Sequence, residues 1–249
     1  MKRISSLFFL FWLFQTLGFG NSQDQLIKAV NAYQQNDFQT ALNLFKELNQ
    51  ERETPGLFFN IGNCYIKMGK IGQGLAAYYS SLKRDPADPN LRHNLKYAKS
   101  LTKDQLPDEE EVTEIKDVFF SLVRHFSLSS HRLLFAFFFL LFLVILGYYR
   151  TERQSESEGK ILIAVFSALL LIQGAVLSLR YSMDQQKEGV IIVPEVKVKY
   201  GPGMTDTTAF LLHEGARFQI PSRIGEWVQI QISNDKVGWI PLNSFEEIK

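Results

Sequence analysis

The residues able to do chemistry are few and scattered. Four histidines, His93, His125, His131 and His213, lie in separate segments without the spacing of a metal-ligand set, and no strand leads into a recognisable nucleophile turn. The single cysteine, Cys64, permits neither an intramolecular disulfide nor a cysteine-based zinc site within one chain, and it reads as a small apolar core residue. Behind Pro107 stand four successive acids, Asp108 to Glu111, which read as a solvated linker, with a cation site as the alternative. No catalytic residue, metal site or cofactor is expected, and the chain reads as a non-enzyme. What remains is binding chemistry. Asn63 and Asn94 are the first candidates for a protein contact, because a side-chain amide can clamp a peptide backbone with one donor and one acceptor. Asn94 serves equally well to bond a neighbouring loop. Tyr200, beside a 201–210 loop, and Trp239 are the other candidates for a bound peptide, with core packing as the competing role of the indole.

These residues sit on elements of three kinds. From Asp24 to Leu101 the apolar pattern is helical and repeats. Asn36-Asp37-Phe38, followed by Ala41 and Phe45, recurs as Gly69-Lys70-Ile71, followed by Gly74 and Tyr78, with a period of about 33 or 34 residues, the spacing of tetratricopeptide (TPR) repeats. Gly62 and Gly74 would let paired helices approach, while Tyr65 and Tyr78 fill the space between them. Asn90 to Thr102, with Leu91, Leu95, Ala98 and Leu101 at helical spacing, would cap the apolar end of the stack.

The second kind is apolar throughout. Leu133–Tyr149 and Ile161–Leu179 carry no charge, and both predict transmembrane helices. Gln173 and Gly174 are expected to face the first span, where a small residue allows close approach. Neither span holds an ionisable group, which argues against a transporter. Lys2 and Arg3, the apolar run Leu7 to Phe14 and the small residues Gly18, Gly20 and Ser22 follow the grammar of a secretory signal, with an uncleaved anchor as the alternative. Arg150, Arg153 and Lys160 in the short loop between the spans favour its cytoplasmic placement. Both soluble modules would then lie on the periplasmic side of the inner membrane. Val112 to Phe126 reads either as an amphipathic helix on the membrane surface or as one packed under the helical domain. A net charge of +1, with basic and acidic residues intermixed, excludes a nucleic-acid partner.

The third kind is β. Period-two alternation predicts strands at Val190–Val193, Glu195–Lys199, Arg217–Ile220, Trp227–Ile232 and Lys236–Ile240, with turn signals at Gly201-Pro202-Gly203, Glu214-Gly215, Ile224-Gly225 and Ser233-Asn234-Asp235. Such short strands suit a small barrel. Val196 to Pro202, Leu212-His213-Glu214-Gly215, Gly225 to Ile230 and Val237-Gly238-Trp239-Ile240 look like successive landmarks of bacterial SH3-like domains. Gly215 and Gly238 would supply the tight turns before strands. The expected fold class is a multi-domain α plus β membrane protein: a TPR α-solenoid, two transmembrane helices and a small SH3-like β-barrel. Its division runs as signal peptide (1–22), TPR array of two repeats plus capping helix (23–103), acidic linker and amphipathic helix (104–131), first transmembrane helix (132–149), cytoplasmic loop (150–160), second transmembrane helix (161–179), spacer (180–188) and barrel (189–249).

Ile61-Gly62-Asn63-Cys64-Tyr65 with Arg92-His93-Asn94-Leu95, and Phe210 to Gly215 with Gly225-Glu226-Trp227, bring this arrangement close to one family. The chain resembles the E-type member of the Bacteroides aerotolerance (Bat) proteins, although its first repeat lacks the proline expected at its end. The resemblance implies a membrane complex with von Willebrand-type domain proteins and an associated ATPase, and a connection to oxidative-stress tolerance or envelope maintenance. It supplies no catalytic residues. The functional expectation is a membrane-anchored protein-interaction scaffold of an envelope complex. The alternative is a receptor that senses peptidoglycan peptides through the SH3-like domain.

Overall fold

The computed structural model describes residues 22–104, 119, 122–151, 156–203, 207–233 and 236–249. The expected signal peptide, the acidic run, most of the 112–126 segment and the middle of the loop between the spans fall outside these residues. By its contacts the chain divides into two units, one made of residues 1–82, 89–106 and 188–249, the other of 83–88 and 107–187.

The first unit opens with helices α1 (22–34), α2 (Phe38–Glu51), α3 (Pro55–Lys67), α4 (Ile71–Arg84) and α5 (Pro89–Ser100). Local chemistry sets their ends. The Asp37 carboxylate accepts from the Thr40 amide at 3.1 Å to start α2, and the Thr54 hydroxyl accepts from the Leu57 amide at 3.2 Å to start α3, where Pro55 needs no amide partner. Gly69, at φ 75°, turns the chain out of α3. Ala29, Ala41, Phe45, Ile61, Cys64 and Tyr65 form one apolar core among α1, α2 and α3. Gly62 and Gly74 allow α3 and α4 to touch: a Cβ on Gly62 would lie 2.5 Å from the Tyr78 ring, and one on Gly74 2.5 Å from Ile66 Cδ1.

The strands of this unit are β1 (Glu188–Ile191), β2 (Glu195–Lys199), β3 (Thr208–His213), β4 (Arg217–Ile224), β5 (Trp227–Ser233), β6 (Lys236–Pro241) and β7 (Phe245–Glu247). They form one antiparallel sheet in the order β3-β2-β6-β5-β4-β1-β7. Its inner face buries Ile191, Val198, Leu212, Phe218, Val228, Ile230 and Ile240. Gly215, at φ 92°, makes the turn before β4, as its position suggested. Gly238 has a different task. It lies within β6, where a Cβ would meet Val198 Cγ1 at 2.4 Å, so its role is close approach of β2 and not a turn.

The expected fold class is therefore corrected. The sheet is open: β3 and β7 are its end strands, each bonded to a single neighbour, so the described strands do not close into a barrel. The helices, in turn, are not a free-standing TPR solenoid. Val190 of β1 and Ile248 beyond β7 are buried in one core with Leu75, Tyr79, Leu91, Leu95 and Ala98 of α4 and α5. The apolar end of the helix stack is closed by the sheet as well as by α5. Polar contacts follow the same seam. Glu214 accepts from the Gly72 amide at 2.8 Å, the Lys249 amide donates to the Ser80 hydroxyl at 3.1 Å, and the Arg217 guanidinium lies 4.6 Å from the Tyr79 ring centroid while donating to Glu188.

In the second unit, α6 (Leu128–Thr151) and α7 (Glu156–Asp184) run apolar for most of their length. The stretches Leu128–Arg150 and Gly159–Asp184 are 23 and 26 residues, long and apolar enough to cross a membrane at about 1.5 Å rise per residue. A Cβ on Gly174 would stand 3.6 Å from Phe135, which places that glycine against α6. Gln173 Nε2 is buried without a hydrogen-bond partner among the described residues. Before α6, a helical stretch at 122–125 turns its Val123 inward and leaves Leu122 and Phe126 exposed. His131 contacts the Val123 carbonyl at 3.1 Å, and buried Arg180 donates to the Phe126 carbonyl at 3.4 Å.

The seam makes one steric prediction. A Cβ at Gly72 would stand 2.3 Å from the Ile191 carbonyl oxygen and 2.9 Å from Ile192 Cα, both backbone atoms, whereas one at Gly56 would meet nothing within 4 Å. Gly72→Ala is expected to destabilise the first unit by about 1–3 kcal/mol. Gly56→Ala should stay within about 1 kcal/mol of neutral. Melting of the full-length protein in detergent distinguishes them.

Candidate functional site

Three groups of polar or aromatic side chains stand out in the first unit. The first joins two of the residues singled out from sequence. Asn63 on α3 and Asn94 on α5 meet directly: Asn63 Oδ1 accepts from Asn94 Nδ2 at 2.9 Å and from the Tyr78 hydroxyl at 2.6 Å. The Asn63 carbonyl is thereby committed within the protein, and burial pushes the Tyr78 phenol up from its ordinary range. Next to it, Cys64 is fully buried, and burial pushes its thiol up to about 12. It is held as a thiol and is a poor nucleophile.

The second group was not visible in the sequence. His213, at the end of β3, receives the residues that follow α5. Asp104 accepts from the His213 backbone amide at 2.7 Å through one carboxylate oxygen and lies 2.8 Å from Nδ1 through the other. Lys103 Nζ lies 2.8 Å from Nε2, with Glu195 at 3.5 Å from the same nitrogen. An ammonium can only donate, so toward Lys103 the ring nitrogen Nε2 accepts, while Nδ1 faces the Asp104 carboxylate. Both ring nitrogens are thus spent on holding the end of the helical segment to β3. Lys103 read as the end of the helical array and Asp104 as the start of a linker, because their partner lies 110 or 109 positions away and no local pattern carries such a pairing.

The third group lies on the outward face of the sheet. Strand register sets Lys199 of β2 opposite Trp239 of β6, and Trp239 opposite Gln229 of β5. Lys199 Nζ lies 5.4 Å from the Trp227 ring centroid and donates to the Gly203 carbonyl at 3.0 Å. Tyr200 follows directly and is 72% exposed. Part of the expected 201–210 contact loop, residues 204–206, lies outside the described residues. Trp239 thus faces Lys199, the residue before Tyr200, while Asn63 and Asn94 form a separate pair among the helices. Lys199 and Trp227 join the sheet group, although neither was among the expected contact residues. The alternation of β2 and β5 was the available signal, since it puts both on the outward face. Among the described residues, no group of three or more His, Cys, Asp or Glu side chains is arranged to hold a metal ion.

Two outcomes follow from this chemistry. His213→Ala and Asp104→Ala should each cost about 1–3 kcal/mol of stability. Their double variant should lose less than the sum, with a coupling of about 0.5–3 kcal/mol in a denaturation cycle. Cys64 should resist a thiol reagent in the folded protein at neutral pH and react fully in guanidinium, as followed by absorbance of the released chromophore.

No protein-family model matches the chain. Over 55 residues it is 36% identical to the Bacillus subtilis (strain 168) protein named "Putative N-acetylmuramoyl-L-alanine amidase YrvJ", a stretch that is 22% of this chain and 11% of that protein. The chain thus spans about a tenth of the length of that relative. Two solved structures from Trichomonas vaginalis, NlpC2 and NlpC1, are similar at 22% identity and a TM-score of 0.23 over 26% of this chain, covering 26% and 24% of their own chains. A TM-score of that size is too low for a shared fold to be read from it. The likeness to the amidase corrects two expectations, that of a non-enzyme and that of an interaction scaffold with a wall-sensing receptor as its alternative. Over those 55 residues the chain is similar to a protein named for cell-wall amide hydrolysis. Neither a nucleophile turn nor metal-ligand spacing marks such a likeness in the sequence, which is why the scattered histidines and single cysteine pointed away from it.

Proposed function

We propose that the chain works in peptidoglycan hydrolysis at a membrane, with the sheet of its first unit meeting the wall. The observation that carries this reading is the 36% identity over 55 residues to a protein named as an N-acetylmuramoyl-L-alanine amidase. Cleaving a wall amide calls for a grip on the polymer, an activated nucleophile and a position beside the wall. The grip is the part for which this chain offers surface, through the indoles and amides on the outward face of the sheet. Position comes from α6 and α7, which we take to cross the membrane with residues 150–160 on the cytoplasmic side and the first unit outside. Membership of the aerotolerance family, and with it von Willebrand-type membrane partners, belongs to the same reading and rests on residues 61–65, 92–95, 210–215 and 225–227.

The full-length protein in detergent, mixed with purified sacculi, is expected to sediment with them and to raise the number of free L-alanine amino ends, detected by arylation and chromatography. A protein that stays in the supernatant while the amino ends remain at background would sink the reading. Sidedness is checked separately with single cysteines placed at Ser155 and Ser182 in a Cys64→Ala background. An impermeant maleimide applied to spheroplasts should label the second position and spare the first.

A further inference from the structure

We propose that the start of α6 and the end of α7 form a headgroup site for an anionic phospholipid, with the Arg180 guanidinium as its charged contact. The site uses these helices as membrane spans and is independent of the wall-directed chemistry above. It follows from an imbalance at Arg180. That side chain stands four residues before the end of the span Gly159–Asp184, and the residue keeps only 5% of its surface exposed. A guanidinium carries N–H donors on all three nitrogens. Nε donates to the Phe126 carbonyl at 3.4 Å, and Nη1 faces Asp184 at 3.6 Å, too far for a hydrogen bond. Nη2 has no partner among the described residues. A buried charge with most of its donors unspent is costly unless something supplies acceptors. Among the described residues, the sealed side-chain atoms without a partner are Gln25 Oε1, Asn49 Oδ1 and Gln173 Nε2. The terminal nitrogens of Arg180 are therefore short of acceptors yet still reach the surface.

Three features of the surroundings select the ligand. The first is charge. Asp184 is the acid that faces Arg180 among the described residues, while Arg124 acts on it as a like charge. A phosphate diester answers this with negative charge and two oxygens that the guanidinium fork can meet together. The second is apolar surface. Leu122 and Phe126, at the turn that Arg180 bonds, are exposed, as is Tyr181 on α7. A free phosphate would leave them in water, whereas the upper acyl chains of a phospholipid would cover them. The third is depth. At about 1.5 Å rise per residue, Arg180 lies about 6 Å inside the end of the span, near the boundary of hydrocarbon and headgroups. His131, itself buried, contacts the Val123 carbonyl at 3.1 Å, and with Arg180 it ties residues 123–126 to the two helices.

The test is native mass spectrometry of delipidated full-length protein in neutral detergent, titrated with phosphatidylglycerol, zwitterionic phosphatidylcholine and inorganic phosphate. Wild-type protein should bind phosphatidylglycerol about tenfold more tightly than phosphatidylcholine, and millimolar phosphate should not displace the lipid. Arg180→Gln should remove that preference, and Arg180→Lys, which keeps the charge without the fork, should retain part of it. Because Arg180→Gln can also loosen the turn at Phe126, a gain is sought beside the loss. Asp184→Asn, which removes the competing carboxylate, should tighten phosphatidylglycerol about threefold. Lys160→Gln, at the opposite end of α7, should change neither lipid. Equal affinity of the wild type for the two lipids, an unaltered preference in Arg180→Gln or no tightening in Asp184→Asn overturns the proposal. So does a loss in Lys160→Gln as large as in Arg180→Gln, the mark of a general charge effect. Displacement of the lipid by phosphate overturns it too, in favour of a soluble anion.

Discussion

The first unit depends on how closely the start of α4 approaches the end of β1. Gly72 lies so near the Ile191 carbonyl that no side chain fits between them, and its amide is satisfied by Glu214 from the turn before β4. An amide at a helix start has no partner within the helix, and one enclosed by a strand would be costly to leave unbonded. Glu214 resolves both problems with one carboxylate. Once the backbones are that close, Val190 and Ile248 reach the apolar end of α4 and α5, and the sheet completes a core that the helices alone leave open.

That seam also determines what the polar side chains are for. His213, Asp104, Arg217, Glu188 and Ser80 look like chemistry when considered one at a time. In place, Asp104 and Ser80 bond His213 and the Lys249 amide across the joint between helices and sheet, while Arg217 donates to Glu188 within the sheet and lies against the Tyr79 ring of α4. Asn63 and Asn94 are likewise turned toward each other and Tyr78. With so much hydrogen-bonding capacity spent internally, the outward face of β2, β6, β5 and β4 keeps aromatic and amide groups at the surface. The strands position that face, which is exposed at Ser222.

Much of the local structure could be read from residue order, for physical reasons that act over short distances. Helix starts follow from Asp37 and from Thr54-Pro55, whose partners lie three residues on. The two long apolar helices follow from runs that lack charge. All five expected strands overlap observed ones, because alternation of buried and exposed positions repeats every second residue. Two strands escaped notice. In β3, Leu211 is exposed next to buried Leu212, so the run Ala209-Phe210-Leu211-Leu212 shows no alternation, and β7 is only three residues long.

What the sequence determined by itself was therefore whatever depends on neighbours along the chain: helix caps, the turn at Gly69, the apolar spans and the strand period. Tertiary structure decided the rest. The open sheet, the shared core beneath α4 and α5, the His213–Asp104 contact and the register of Lys199 with Trp239 all join residues far apart in the chain. Their pairing is set by the register of the sheet and by the room left at Gly72, Gly215 and Gly238. Those constraints arise only when the strands and helices are packed together, so no local spacing could carry them.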